Sequence, residues 1–146
     1  MNTPRRVITG LDSAGRSSIL IDGPSSMIIW STADTPADNS SIEDAGGGIF
    51  RFPTRGSLFV FSDFPPGGGS PMHATDTIDY IVVVSGEVVF ITETSETLLR
   101  AGDALVDRGS MHAWRNDSDK PCRIMNVLAP AHPAGKGATV SGEVHI

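Results

Sequence analysis

The chain has little with which to cross-link itself, span a bilayer or grip a polyanion. A single cysteine, Cys122, occurs among its 146 residues, so no intrachain disulfide can form. It lies in the apolar run 122–129 and reads as a buried, inert thiol, with a catalytic cysteine the minor alternative. No run reaches the roughly 18 apolar residues that a membrane span requires. Arg5 and Arg6 have the charge of an export signal, but Asp12, Arg16 and Asp22 follow where the apolar segment should be. A cytoplasmic protein is therefore expected, with no membrane partner. The formal net charge of −6 and the lack of any Lys/Arg cluster argue against nucleic acid as a partner. An anionic small substrate stays open, because a few arginines inside a pocket dominate locally. Also lacking are a segment with convincing helical periodicity, a low-complexity tract and an internal repeat.

What the chain does have is turns. Its length suits one domain with a real core, and 16 glycines and 10 prolines punctuate it. Short β-type runs at 5–10, 16–22, 27–31, 49–52, 57–63, 87–92, 96–100, 104–107, 111–116 and 122–129 recur with turn signals between them, the pattern of a sandwich or barrel. In 57–63, Phe59 and Phe61 share one face and Leu58 and Val60 the other, so this strand is expected to be covered on both sides. The polar stretch 32–48 is long for a connection within a compact domain and reads as a mobile loop with some lid role. The tail 130–146 is Pro/Gly-rich before its apolar alternation and reads as a loose end or an added edge strand.

Two stretches carry chemistry. The first, 66–86, reads PGGGSPMHATDTIDYIVVVSG. Its His73, Thr75, Thr77 and Asp79 share parity, yet in one straight strand His73 and Asp79 would lie about 20 Å apart at about 3.3 Å per residue. They can serve one site only if the chain reverses between them. The second, 102–116, reads GDALVDRGSMHAWRN. Gly109 suits a reversing turn, and His112, Trp114 and Asn116 share a face.

Together the two stretches resemble the paired motifs of the cupin superfamily, small β-barrels that hold a metal or small molecule inside. The usual first motif runs His-x-His, three or four residues, Glu, and a glycine seven residues later. Here the frame is His73-x-Thr75, three residues, Asp79, then Gly86, with threonine replacing the second histidine and aspartate the glutamate. Asp76 competes as the carboxylate, although its place in the turn makes it a helper. In the second motif Gly109, His112 and Asn116 keep the usual spacing, and Asp107 stands where many cupins have proline. With the start of the chain included, the likeness is to a subgroup of small single-domain bacterial cupins and spans most of the chain. It implies an all-β fold, a cupin barrel (double-stranded β-helix, or jelly roll) over 1–146, and a homodimer, since cupins often exchange a terminal strand.

The same resemblance implies His73, Asp79 and His112 as the site. As metal ligands they would offer two histidines and one carboxylate to one divalent transition metal. Zinc, iron, manganese and nickel are not separable by sequence, and threonine is a poor ligand. The loss of one usual ligand equally fits a metal-free descendant. In that case the same three residues are a catalytic acid/base group. The expected function is a small-molecule enzyme, a lyase of the dehydratase or decarboxylase kind. The alternatives are an Fe(II)-dependent dioxygenase using the same ligands and a non-catalytic small-molecule-binding cupin. Trp30, Phe59, Phe61 and Trp114 are candidate substrate-binding walls, weighed against plain core. Arg51 is a candidate for a substrate carboxylate, weighed against a solvent-exposed charge. Tyr80 has the opposite parity to Asp79 and reads as packing or a subunit contact.

Overall fold

The computed structural model describes residues 1–134, and it is all-β. The strands are β1 (Arg5–Leu11), β2 (Ser17–Pro24), β3 (Ile28–Thr32), β4 (Ser57–Phe64), β5 (Gly69–His73) and β6 (Thr77–Ser85). They continue with β7 (Glu87–Thr92), β8 (Glu96–Arg100), β9 (Ala104–Asp107), β10 (His112–Arg115) and β11 (Cys122–Pro130). Three sheets form: a β1–β2 hairpin, a four-stranded sheet β5-β10-β7-β8 and a five-stranded sheet β3-β4-β11-β6-β9. All pairings are antiparallel. From β4 onward the chain passes repeatedly from one large sheet to the other, the jelly-roll arrangement expected of the sequence. No helix among the described residues is long and apolar enough to cross a membrane.

The inward residues of the two large sheets interdigitate. Ile81, Val83, Cys122 and Ile124 from the five-stranded sheet pack with Val88, Phe90, Leu99 and Trp114 from the other. A smaller cluster, Ile28, Leu58, Val60 and Leu128, lies under Phe50 and Phe52. Cys122 is fully buried, and burial together with the charges of Asp63 and Glu87 pushes its thiol up to about 11, which keeps it protonated and unreactive.

The expected strand at 49–52 is not a strand. Phe50 and Phe52 meet edge to face, with ring centroids 5.1 Å apart, and cover the second cluster from an irregular segment. Apart from a single bridge at Arg51, the segment makes no ladder, and the alternation of its phenylalanines reports burial on one side. The connection that contains 32–48 is tied down at several points. Arg6 forms an ion pair with Asp44 and donates to the Ile29 carbonyl, Ser31 N–H donates to Ala45, and Gly47 N–H donates to Ile28. Of the tail, Pro130 ends β11, and an added edge strand over 135–146 lies outside the described residues.

Two glycines permit this route. Gly86 turns β6 into β7 at φ 74°, and a Cβ there would stand 2.5 Å from the Pro121 carbonyl oxygen. Gly109 turns β9 into β10 at φ 70°.

Candidate active site

The reversal required between His73 and Asp79 is a change of sheet. His73 ends β5 in the four-stranded sheet, and two residues into β6 Asp79 points inward from the five-stranded one. Imidazoles therefore stand on one wall and carboxylates on the other.

On the imidazole wall, His112 of β10 is the direct cross-strand partner of His73 of β5, and their ring centroids are 4.4 Å apart. His112 is buried and His73 half-buried. His73 Nδ1 lies 2.7 Å from the Pro71 carbonyl, and His112 Nδ1 lies 2.8 Å from the Ser110 carbonyl. A carbonyl only accepts, so each Nδ1 carries the proton and each Nε2 keeps its lone pair. Phe90 stacks on His112 at 5.3 Å and an interplanar angle of 22°, which fixes the ring plane. Trp114 meets His112 edge-on at 6.4 Å.

On the carboxylate wall, Asp79 and Asp107 are cross-strand partners in the β6–β9 ladder, and both are buried. Asp107 reaches across to the other sheet, where its Oδ2 lies 2.9 Å from His112 Nδ1. Its Oδ1 accepts from the Ser110 amide at 3.0 Å and hydroxyl at 2.7 Å. Burial would raise the Asp107 carboxyl, but His112 and Ser110 outweigh it and hold the group below its ordinary value. Burial would likewise depress His112. The bond to Asp107, the Ser110 carbonyl and the charges of Asp107 and Asp79 overcome it and hold the imidazole above its ordinary value.

Asp79 behaves in the opposite sense to Asp107. Burial, reinforced by the charge of Asp107, raises its carboxyl despite hydrogen bonds from Thr77 and Asn126 and the nearby charge of His112. Thr77 Oγ1 donates to Oδ1 at 2.6 Å, and Asn126 Nδ2 donates to Oδ2 at 3.1 Å. Thr75 continues the chain to Thr77 at 2.7 Å.

The donor set can be tested against a metal, which cupins commonly bind. Two imidazoles bound at right angles through Nε2 would have ring centroids about 4.5 Å apart for a metal–nitrogen bond of about 2.1 Å, so the histidine pair suits a shared ion. The third ligand is lacking. Both Asp79 oxygens are engaged by Thr77 and Asn126, and Asp107 is paired with the Nδ1 edge of His112. No three His, Cys, Asp or Glu side chains among the described residues are spaced to hold an ion. As placed, the donors fit part of a metal site and not a complete one.

Of the expected substrate walls, only Trp114 stands beside the imidazoles. Trp30, Phe59 and Phe61 do not. The register Trp30↔Phe59↔Val127↔Tyr80 puts Trp30 and Phe59 on the face opposite Asp79, and Phe61 follows them through Met125↔Val82. Trp30 instead lines an open groove of about 880 Å³ between the β1–β2 hairpin and the 32–45 connection, which none of the four site residues lines. Phe61 lies under the Arg123 guanidinium, 4.7 Å from its ring centroid. Arg51 is exposed and forms a single β-bridge in the segment of Phe50 and Phe52. Reasoning from the sequence missed the roles of Asp107, Phe90 and Asn126. The spacing of Asp107, five residues before His112 across a glycine turn, was the available signal for the first.

Comparison with known proteins follows the same outline. The family described as Cupin domain matches residues 60–128. Phomopsin biosynthesis cluster protein D of Diaporthe leptostromiformis is 33% identical over 156 residues, covering 91% of this chain and 82% of that protein. A cupin-domain-containing oxidoreductase of Neurospora crassa is 31% identical over 159 residues, covering 94% and 81%. Another of Aspergillus ruber is 34% identical over 143 residues, covering 84% and 70%. Among solved structures, an uncharacterized conserved protein with a double-stranded β-helix domain from Klebsiella pneumoniae superposes with a TM-score of 0.50 at 26% identity, covering 62% of this chain and 84% of that one.

Proposed function

Because the chain belongs to the cupin family, we propose that it is a small-molecule enzyme whose chemistry is proton transfer at the His112 imidazole, most simply a lyase. The observation that carries this reading is the 2.9 Å contact between Asp107 Oδ2 and His112 Nδ1. With the Ser110 carbonyl it holds one tautomer, aims the Nε2 lone pair away from Asp107 and strengthens the imidazole as a base. A positioned base of this kind contributes about 10²–10⁴-fold to a rate. His73, its neighbour at 4.4 Å, supplies a second imidazole. In an elimination, His112 Nε2 takes the proton α to a substrate carbonyl, the C–O bond breaks, and the His112 imidazolium returns that proton to the departing hydroxide as water, while His73 beside it orients the substrate. A small oxygen-rich acid suits this pair of roles. None of these steps requires a metal ion.

The test is a panel of 2- and 3-hydroxy acids and β-keto acids incubated in D₂O and followed by proton NMR. Wash-in of deuterium α to the carbonyl, or formation of the unsaturated or decarboxylated product, is expected. His112→Ala should lower the rate at least about 100-fold. Turnover that survives replacement of both His73 and His112 would end this assignment.

A second reading, an Fe(II)-dependent dioxygenase, is favoured by the relatives named as oxidoreductases. It requires His73, His112 and Asp79 to gather on one ion, and Asp79 must then release Thr77 or Asn126. Elemental analysis beside an oxygen electrode separates the two. One equivalent of iron, lost in Asp79→Asn together with oxygen uptake, would establish the second reading at the expense of the first.

A further inference from the structure

The open groove of about 880 Å³ beside Trp30 has the volume of a small-molecule pocket, about 300–1,000 Å³. Three elements build it. One wall is the β1–β2 hairpin, the floor is Trp30 at the centre of β3, and the far wall is the connection that follows β3.

Both walls are held in place. Strand β2 carries one extra residue, Leu20, between Ile19, opposite Thr9, and Ile21, opposite Ile8. A bulge of this kind re-aims a side chain. A Cβ at Gly10 would stand 2.4 Å from Leu20 Cδ1, so the bare glycine backbone leaves the room that Leu20 takes in the groove wall. The far wall is clamped near its start by the Arg55–Asp34 ion pair. Near its end it is clamped by the Arg6–Asp44 ion pair and by the Ser31 amide, which donates to the Ala45 carbonyl at 3.0 Å.

The lining divides by chemistry. Leu11, Leu20, Trp30 and Ile42 give it apolar surface, and Leu11 and Ile42 are 58% and 77% exposed. Four carboxylates line it, and no lysine, arginine or histidine does. Arg55 and Arg6 neutralise two of the four, Asp34 and Asp44. Asp38 and Glu43 are exposed and face no cation in the lining. The Asp38 carboxylate accepts from the Ser40 amide at 2.9 Å and hydroxyl at 2.6 Å, which holds it below its ordinary value and keeps it charged at neutral pH.

We propose that this groove is a second binding site, for a small organic cation: an amine with an apolar body. The body displaces water from Leu11, Leu20 and Ile42, and the ammonium is drawn to Asp38 and Glu43, with the Trp30 indole a further surface that attracts cations. Charge selects this ligand. An anion, the small acid proposed for His112 included, meets two uncompensated carboxylates and no cation, and a neutral apolar molecule gains nothing from them. His73, Asp79, Asp107 and His112 take no part in the groove, so the site stands independently of the reaction proposed there.

Three ligands that share one body and differ in charge test it: phenylbutylamine, phenylbutanol and phenylpentanoate. Each is titrated into the isotope-labelled full chain to about 10 mM, which reaches weak specific affinities, and followed by amide and indole N–H shifts. The amine is expected to shift the Leu20, Trp30 and Glu43 signals and to bind about tenfold more tightly than the alcohol, the gain from two partly exposed ion pairs, with the acid weakest. Asp38→Asn together with Glu43→Gln should remove the preference for the amine and leave the affinity for the alcohol in place. In the wild-type chain about 0.5 M salt should weaken the same preference. Equal binding of the three ligands would overturn the proposal, and so would a preference for the amine that the double variant keeps. Shifts confined to His73, Asp79, Asp107 and His112 would put the amine in the barrel and overturn it too. So would the absence of any shift, the result if a second copy of the chain closes the groove.

Discussion

At His112 one proton has two acceptors, and their difference decides what the ring can do. The Ser110 carbonyl fixes the tautomer by itself, as the Pro71 carbonyl does for His73. Asp107 adds charge, which stabilises the imidazolium. Asp107→Asn keeps the shape and removes the charge, so it should leave the ring in place and lower the His112 pKa. A titration of the His112 Cε1–H resonance by NMR checks this, with His73 as the internal comparison. A His112 midpoint unmoved by Asp107→Asn would show that the carboxylate only fills space. Asp107 was visible in the sequence as a departure from the proline usual at that position. Its partner was not, because the contact joins two sheets whose packing no local pattern reports.

At the scale of the element, strand spacing was legible and facing was not. The runs at 57–63, 87–92, 96–100, 104–107 and 122–129 are strands, because alternating or β-branched residues between turn formers have few other ways to bury themselves. Which face of β4 looks inward could not be told, since both faces are apolar and a shift of one residue exchanges them. Phe59 and Phe61, candidate walls by sequence, lie on the outer face, and Leu58 and Val60 are the inward pair. The turn from β10 to β11 rests on Asn116, whose side chain is fully buried. Its amide donates to the Phe64 carbonyl at 2.9 Å and the Lys120 carbonyl at 2.8 Å, and its oxygen accepts from the Ser118 amide and hydroxyl. Asn116→Ala removes the side-chain donor to the Phe64 carbonyl and one of two donors to the Lys120 carbonyl, and should cost roughly 2 kcal/mol in urea unfolding. A loss below about 0.5 kcal/mol would mean that water replaces the amide.

For the whole molecule, the Asp107–His112 pair is a polar tie between two sheets otherwise joined by apolar packing, and it makes stability depend on pH. His112 is held above its ordinary 6.5, so its contribution is full below that value and is lost as pH rises through the folded midpoint. Asp107 is held below its ordinary 3.8, so its contribution is full above that value and is lost as pH falls through the folded midpoint. The pair therefore stabilises the barrel most between these two ordinary values. Asp79, raised by burial, favours its protonated form in the folded state, so its contribution is present at low pH and fades as pH rises through its folded midpoint. On the alkaline side His112 and Asp79 act in the same direction. Thermal unfolding should occur at higher temperature at about pH 5 than at about pH 8.5, by the linkage of proton binding to folding. Asp107→Asn should flatten that difference, since the imidazolium loses the partner that makes folding prefer it. An equal difference in the variant would assign the pH dependence to Asp79 and other groups and would remove the tie from the account of what holds the sheets together.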